Sequence, residues 1–89
     1  MYNIAILIPT TSNNRNEWNT MRDTYLFHSV KSFLLSKERY DDNSYTFYIG
    51  YDDNDRIFAN KEQQNELKRF ESVFQKLSIQ FYSMKNIPK

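Results

Sequence analysis

Apolar positions along the chain fall into short unbroken runs and longer periodic stripes, and each kind predicts its own element. Ile4, Ala5, Ile6, Leu7 and Ile8 follow one another without a polar break up to Pro9, the pattern of a strand buried on both faces of a parallel sheet. Pro9 has no N–H to give to a ladder and residues 10–16 are all polar, so the strand opens there into a loop. Trp18, Met21, Tyr25, Leu26, Val30, Phe33 and Leu34 then recur at spacings of three and four. That spacing predicts a helix starting at Asn16 or Thr20, running to Ser36, with one stripe packed on the sheet. Thr20 with Asp23 three residues on reads as its capping pair.

Residues 38–44 are polar and include Asp41, Asp42 and Asn43, the composition of a return turn. Residues 45–51 resume strand composition, aromatic and β-branched, up to Gly50 and the acids Asp52, Asp53 and Asp55. Asn60 with Gln63 predicts a second capped helix, striped by Leu67, Phe70, Phe74 and Leu77. Ile79, Phe81 and Met84 predict a shorter third strand before the tail at residues 85–89.

The order βαβαβ implies an α/β unit with a parallel sheet, right-handed crossovers and helices covering it in two or three layers. Three strands and two helices leave sheet edges and one face thinly covered, so a half-domain, or self-association through an open edge as a homo-oligomer, is expected. The loops that leave the carboxyl ends of the strands share one rim, where open α/β sheets bind ligands. The loop after Pro9 and the acidic loop after Gly50 both fall there.

Composition narrows the chemistry. A length of 89 residues fits one domain, residues 1–89. A formal charge of +1, with cations dispersed among acids, gives no field for gathering nucleic acid or anionic lipid. The absence of cysteine removes disulfides, thiolate metal sites and thiol nucleophiles, and a cytoplasmic setting is compatible with that. The apolar run of residues 4–8 is too short for a signal-peptide core or a membrane span. A single glycine rules out the glycine-rich dinucleotide fingerprint and the phosphate loop, which need several positions without a Cβ. Asp53 and Asp55 lack the glycine and terminal glutamate of an EF-hand loop. The lone His28, in mid-helix, reads as structural or exposed, so no hydrolase triad is expected. Trp18 and the helical tyrosines read as packing rather than as a stacking platform.

The acidic loop is the richest candidate. Asp52, Asp53 and Asp55 crowd three like charges into one turn, which repel unless something offsets them. A hard divalent cation, a pair with Arg15 or Arg56, or N–H and hydroxyl donors of a ligand would each do so. Capping of the second helix, or a plain solvated turn, is the competing reading.

The residues Ile4-Ala5-Ile6-Leu7-Ile8-Pro9-Thr10-Thr11, a helix carrying Ser32-Phe33-Leu34, and Tyr48-Ile49-Gly50-Tyr51-Asp52-Asp53-Asn54-Asp55 together resemble the start of nucleotide-sugar-dependent glycosyltransferases of the GT-A fold, family 2 and its viral relatives. The resemblance covers almost the whole chain, on short motifs. It implies the amino-terminal half of a Rossmann-like GT-A fold, with Pro9, Thr10, Thr11 and Arg15 around the nucleobase. The second acid of the pair Asp52 and Asp53 would meet uracil or ribose, with Asp53 in that role. Asn54-Asp55-Arg56 stands where the family commonly has small Gly-Ser residues. The implied ligand is a nucleotide-diphosphate sugar, a UDP-sugar first, with an unknown acceptor. A divalent cation, manganese or magnesium, belongs to the full-length family; Asp53-Asn54-Asp55 reads as acid-any-acid and offers Asp53 and Asp55 to such a metal, but the order of elements argues for the nucleotide-reading position instead. The family's metal motif and catalytic base normally follow later elements, so a donor-binding role is expected of these residues, in the cytoplasm, including that of a virus-infected host. The rival expectation is a non-catalytic small α/β interaction or nucleotide-binding module, flavodoxin-like or receiver-like, whose acids form a solvated turn.

Overall fold

A computed structural model of the chain describes residues 2–13, 15–36 and 43–84. Three strands, β1 (Asn3–Pro9), β2 (Ser44–Tyr51) and β3 (Leu77–Ser83), alternate with two helices, α1 (Tyr25–Ser36) and α2 (Lys61–Lys68). Short 3-10 turns, Met21–Asp23 and Arg69–Ser72, precede α1 and follow α2. The strands form one parallel sheet in the order β1-β2-β3, with Ile6 beside Phe47 and Phe47 beside Ile79. The predicted βαβαβ order and parallel pairing are observed, in two layers.

Both helices lie on the same face of the sheet, as consecutive crossovers of the usual hand require. Met21, Phe27, Val30 and Leu34 from the α1 side and Leu67 from α2 share one core cluster with Phe47, Ile49 and Ile79. Within that one helical layer Phe27 of α1 meets Phe70 of the turn after α2, ring centroids 5.3 Å apart. Phe33 meets Tyr45 and Phe47 edge-on at 5.2 and 5.7 Å. Offset and edge-on ring pairs add to plain burial because the positive ring edge meets a negative face.

The other face of the sheet is open, and this corrects the expectation for β1. Ile4, Ile6 and Ile8 turn toward the helices and are half-buried, while Ala5 and Leu7 are exposed, Leu7 by 68%. An unbroken apolar run here marks an edge strand with one face uncovered, not a strand enclosed on both sides. Gly50 points to the open face, where a Cβ would stand 3.0 Å from Met84 Cγ and 3.4 Å from Tyr82 Cζ. Its missing side chain makes room for those two residues. Met84 therefore follows β3 and covers Gly50 instead of extending the strand.

The helix boundaries also differ from expectation. α1 begins a turn later than Thr20, because Thr24 is extended (φ −79°, ψ 153°) and caps it. Its buried hydroxyl accepts from Phe27 N at 3.1 Å and donates to Met21 O at 2.7 Å. Asp23 still receives the Thr20 and Asn19 N–H groups, at 3.0 and 2.9 Å, around the preceding turn. Asn60 caps α2 as predicted, accepting from Glu62 N and Gln63 N. Gln63, however, reaches across to accept Met21 N at 2.8 Å, tying the start of α2 to the approach to α1. Leu77 belongs to β3 rather than to the second helix, since the chain reverses at Lys76 (φ 59°). The return turn expected around Asp41 and Asp42, and the tail at 85–89, lie outside the described residues. Among the described residues no helix is long and apolar enough to cross a membrane.

Candidate functional site

The two loops singled out by the sequence leave adjacent parallel strands and are fastened to each other. Pro9 stands beside Gly50 in the register. One step beyond, Thr10 donates both its N–H and its hydroxyl to Gly50 O, at 2.9 and 2.7 Å. Asp55 completes the joint. Its Oδ2 accepts Ser12 N at 2.7 Å, and its Oδ1 accepts the Ser12 hydroxyl at 2.8 Å, Ile57 N at 3.0 Å and Phe58 N at 2.9 Å. Asp55 is only 6% exposed. Burial opposes its charge, but the hydrogen bonds from Phe58, Ser12 and Ile57 N–H groups and the Ser12 hydroxyl outweigh it, holding the carboxyl below the ordinary aspartate range.

Arg56 fixes the far end of the first loop. Its guanidinium donates to the carbonyls of Arg15 and Trp18. Arg15 in turn lies over the rings of Trp18 and Tyr25, 5.6 and 5.0 Å from their centroids, and those rings meet edge-on at 4.9 Å. A guanidinium over an aromatic face is held by the ring quadrupole without a carboxylate partner. Both arginines are thus engaged with the first loop and its rings, so neither forms the predicted pair with the acids.

Beside this joint opens a pocket of about 480 Å³. One wall is the end of β1 and its loop, Ile8, Pro9, Thr10 and Thr11, and the other is Trp18 with Tyr25, Leu26 and Ser29 of α1. Phe58, 2% exposed, reaches it from the segment after β2. Apolar walls with a few hydroxyls, at the carboxyl rim of a parallel sheet, form the usual setting for a small organic ligand.

Of the predicted site residues, Pro9, Thr10 and Thr11 line this pocket, and Arg15 stacks on two of its rings. Asp52 and Asp53 stay exposed on the neighbouring turn, outside the lining, with Asp52 O accepting Asp55 N at 3.0 Å. The acid pair Asp53 and Asp55 does not fit a cation. Asp55 spends its oxygens on four donors, and among the described residues no three of His, Cys, Asp and Glu gather as metal ligands. His28 is exposed and edge-on to Phe27 at 5.8 Å. Trp18 and Phe58 were not singled out as site residues by the sequence. Trp18 is buried to 7% exposure, as packing predicts, yet its ring also forms a pocket wall. Comparisons of the chain with protein-family models, with curated proteins and with solved structures return no match.

Proposed function

We propose that these residues form the donor-nucleotide portion of a GT-A glycosyltransferase, which binds a nucleotide-diphosphate sugar, a UDP-sugar first, for transfer of the sugar to an acceptor. The observation that carries this reading is the joined mouth of β1 and β2. Two loops from neighbouring parallel strands emerge together beside a pocket, and the second loop carries the exposed acids Asp52 and Asp53. The strand order β3-β2-β1 is also half of the doubly wound order 3-2-1-4-5-6.

In this reading the base enters against Pro9, Thr10 and Thr11 beside the Trp18 ring, and a free carboxylate at Asp53 accepts an N–H or hydroxyl from uracil or ribose. Asp55 does not touch the ligand; it holds the two loops at a fixed spacing, so little ordering is left for binding to impose. These residues supply binding and orientation. No step through a cation is assigned to them.

Calorimetric titration of the chain with UDP, with and without manganese, tests the reading. Saturable heat that Asp53→Ala removes, while the variant keeps its circular dichroism, is the expected result. Heat unchanged in Asp53→Ala removes Asp53 from the site, and no heat at millimolar UDP favours the non-catalytic interaction module.

A further inference from the structure

We infer that Arg15 holds the anionic end of the ligand, a phosphate, while the pocket between β1 and α1 takes only its flat, uncharged part. The inference rests on the nucleotide reading for what that flat part is, and reaches past it in assigning the phosphate contact.

The pocket is built for a neutral group. None of the side chains lining it is charged; Ile8, Pro9, Leu26 and Phe58 give it apolar walls. The Thr10 hydroxyl proton is committed to Gly50 O. Thr11 Oγ1 accepts Asn13 N at 3.1 Å, which leaves its own proton free to donate. A phosphate pressed against such walls would lose its water without gaining a counter-charge. It has to stay where a cation can meet it.

Arg15 is the cation so placed. Its guanidinium carbon lies 5.0 Å from the Tyr25 ring centroid and 5.6 Å from that of Trp18, and both residues line the pocket. Among the described residues the ion pairs join Arg22 and Arg69 to Glu66, and Arg15 has no acid partner. The other arginine at this joint, Arg56, spends its guanidinium on the carbonyls of Arg15 and Trp18. A guanidinium stacked on a ring carries its N–H groups around its rim, so stacking leaves the planar fork open to two phosphate oxygens. The backbone of Arg15 is pinned as well, its carbonyl by Arg56 and its N–H by Ser12 O at 3.1 Å. The side chain therefore starts from a fixed point, and less ordering falls to binding.

Titration of the full chain with UDP and with uridine, without divalent metal, tests this by NMR through the indole N–H of Trp18, the only tryptophan. UDP should bind about tenfold more tightly than uridine, the scale of a charge-assisted bidentate contact. In Arg15→Gln the two should bind within about twofold of each other, with uridine as in wild type, and Arg15→Lys, charged but without the fork, should fall between. Lys31→Gln, which removes the same charge from a separate groove lined by Glu66 and Phe70, should keep the full preference. Equal binding of UDP and uridine by the wild type, a preference that survives Arg15→Gln, uridine binding lost in Arg15→Gln, or equal damage from Lys31→Gln would each overturn the inference. Should neither UDP nor uridine bind, the nucleotide reading falls, and phenyl phosphate against benzyl alcohol decides the inference alone. An Arg15-dependent preference for phenyl phosphate then upholds it, and the lack of one overturns it.

Discussion

Asp55 shows how one side chain can decide the geometry of a site without touching its ligand. Four donors converge on its carboxylate from residues 12, 57 and 58, joining loops more than forty positions apart in sequence. Replacing it by asparagine swaps one acceptor oxygen for a donor that faces N–H groups. Asp55→Asn should cost about 2–4 kcal/mol, read as a lowered urea midpoint at neutral pH. The pH dependence follows from the depressed folded pKa. As pH falls, the unfolded chain takes up its proton first, so the stabilisation is full above the ordinary aspartate value of about 4 and disappears as pH drops through the folded value. Wild-type stability should fall in that acid window, and Asp55→Asn should lose this part of the fall. Asp23 is lowered as well, by the N–H groups of Asn19 and Thr20. The sequence marked Asp55 as one of three crowded acids but did not separate it from Asp52 and Asp53. Its role depends on Ser12, which only the parallel pairing of β1 and β2 brings within reach.

Elements were more legible than their ends. β1 is legible in its apolar run, β2 in its aromatic and β-branched composition, β3 in the alternation of Ile79 and Phe81, and α2 in its Asn60 cap, because those signals are local. The start of α1 did not, since Thr20 and Asp23 give the same capping cue as Thr24 and make a real, but separate, turn. Choosing between them takes the buried hydroxyl of Thr24, which carries hydrogen bonds to both Met21 O and Phe27 N at 0% exposure. Thr24→Val keeps the shape and removes both bonds, so it should destabilise by about 1–2 kcal/mol, while Thr24→Ser stays near wild type in thermal melts. Phe27 was missed for the same reason: a helix starting at Thr24 turns Phe27 into the core and leaves Tyr25 61% exposed on the pocket wall. The enclosed-strand reading of β1 failed on different grounds. A run apolar on both faces says that both faces tolerate burial, and nothing local says whether a cover exists.

At the scale of the whole molecule, one layer of helices on one face of a three-stranded sheet leaves the carboxyl rim to carry the joined loops, the pocket and the exposed acids. The parallel order and the meeting of the two loops were legible from the spacing of elements. The Trp18 wall was not, because a buried aromatic and a pocket aromatic share one sequence signature. Amide NMR of the labelled chain titrated with UDP tests nucleotide binding at the joined rim most directly. Saturable shifts should gather on Thr10, Thr11, Asp53 and the Trp18 indole. Spectra unmoved at millimolar nucleotide, or shifts confined to the outer surface of α1 and α2, would contradict it.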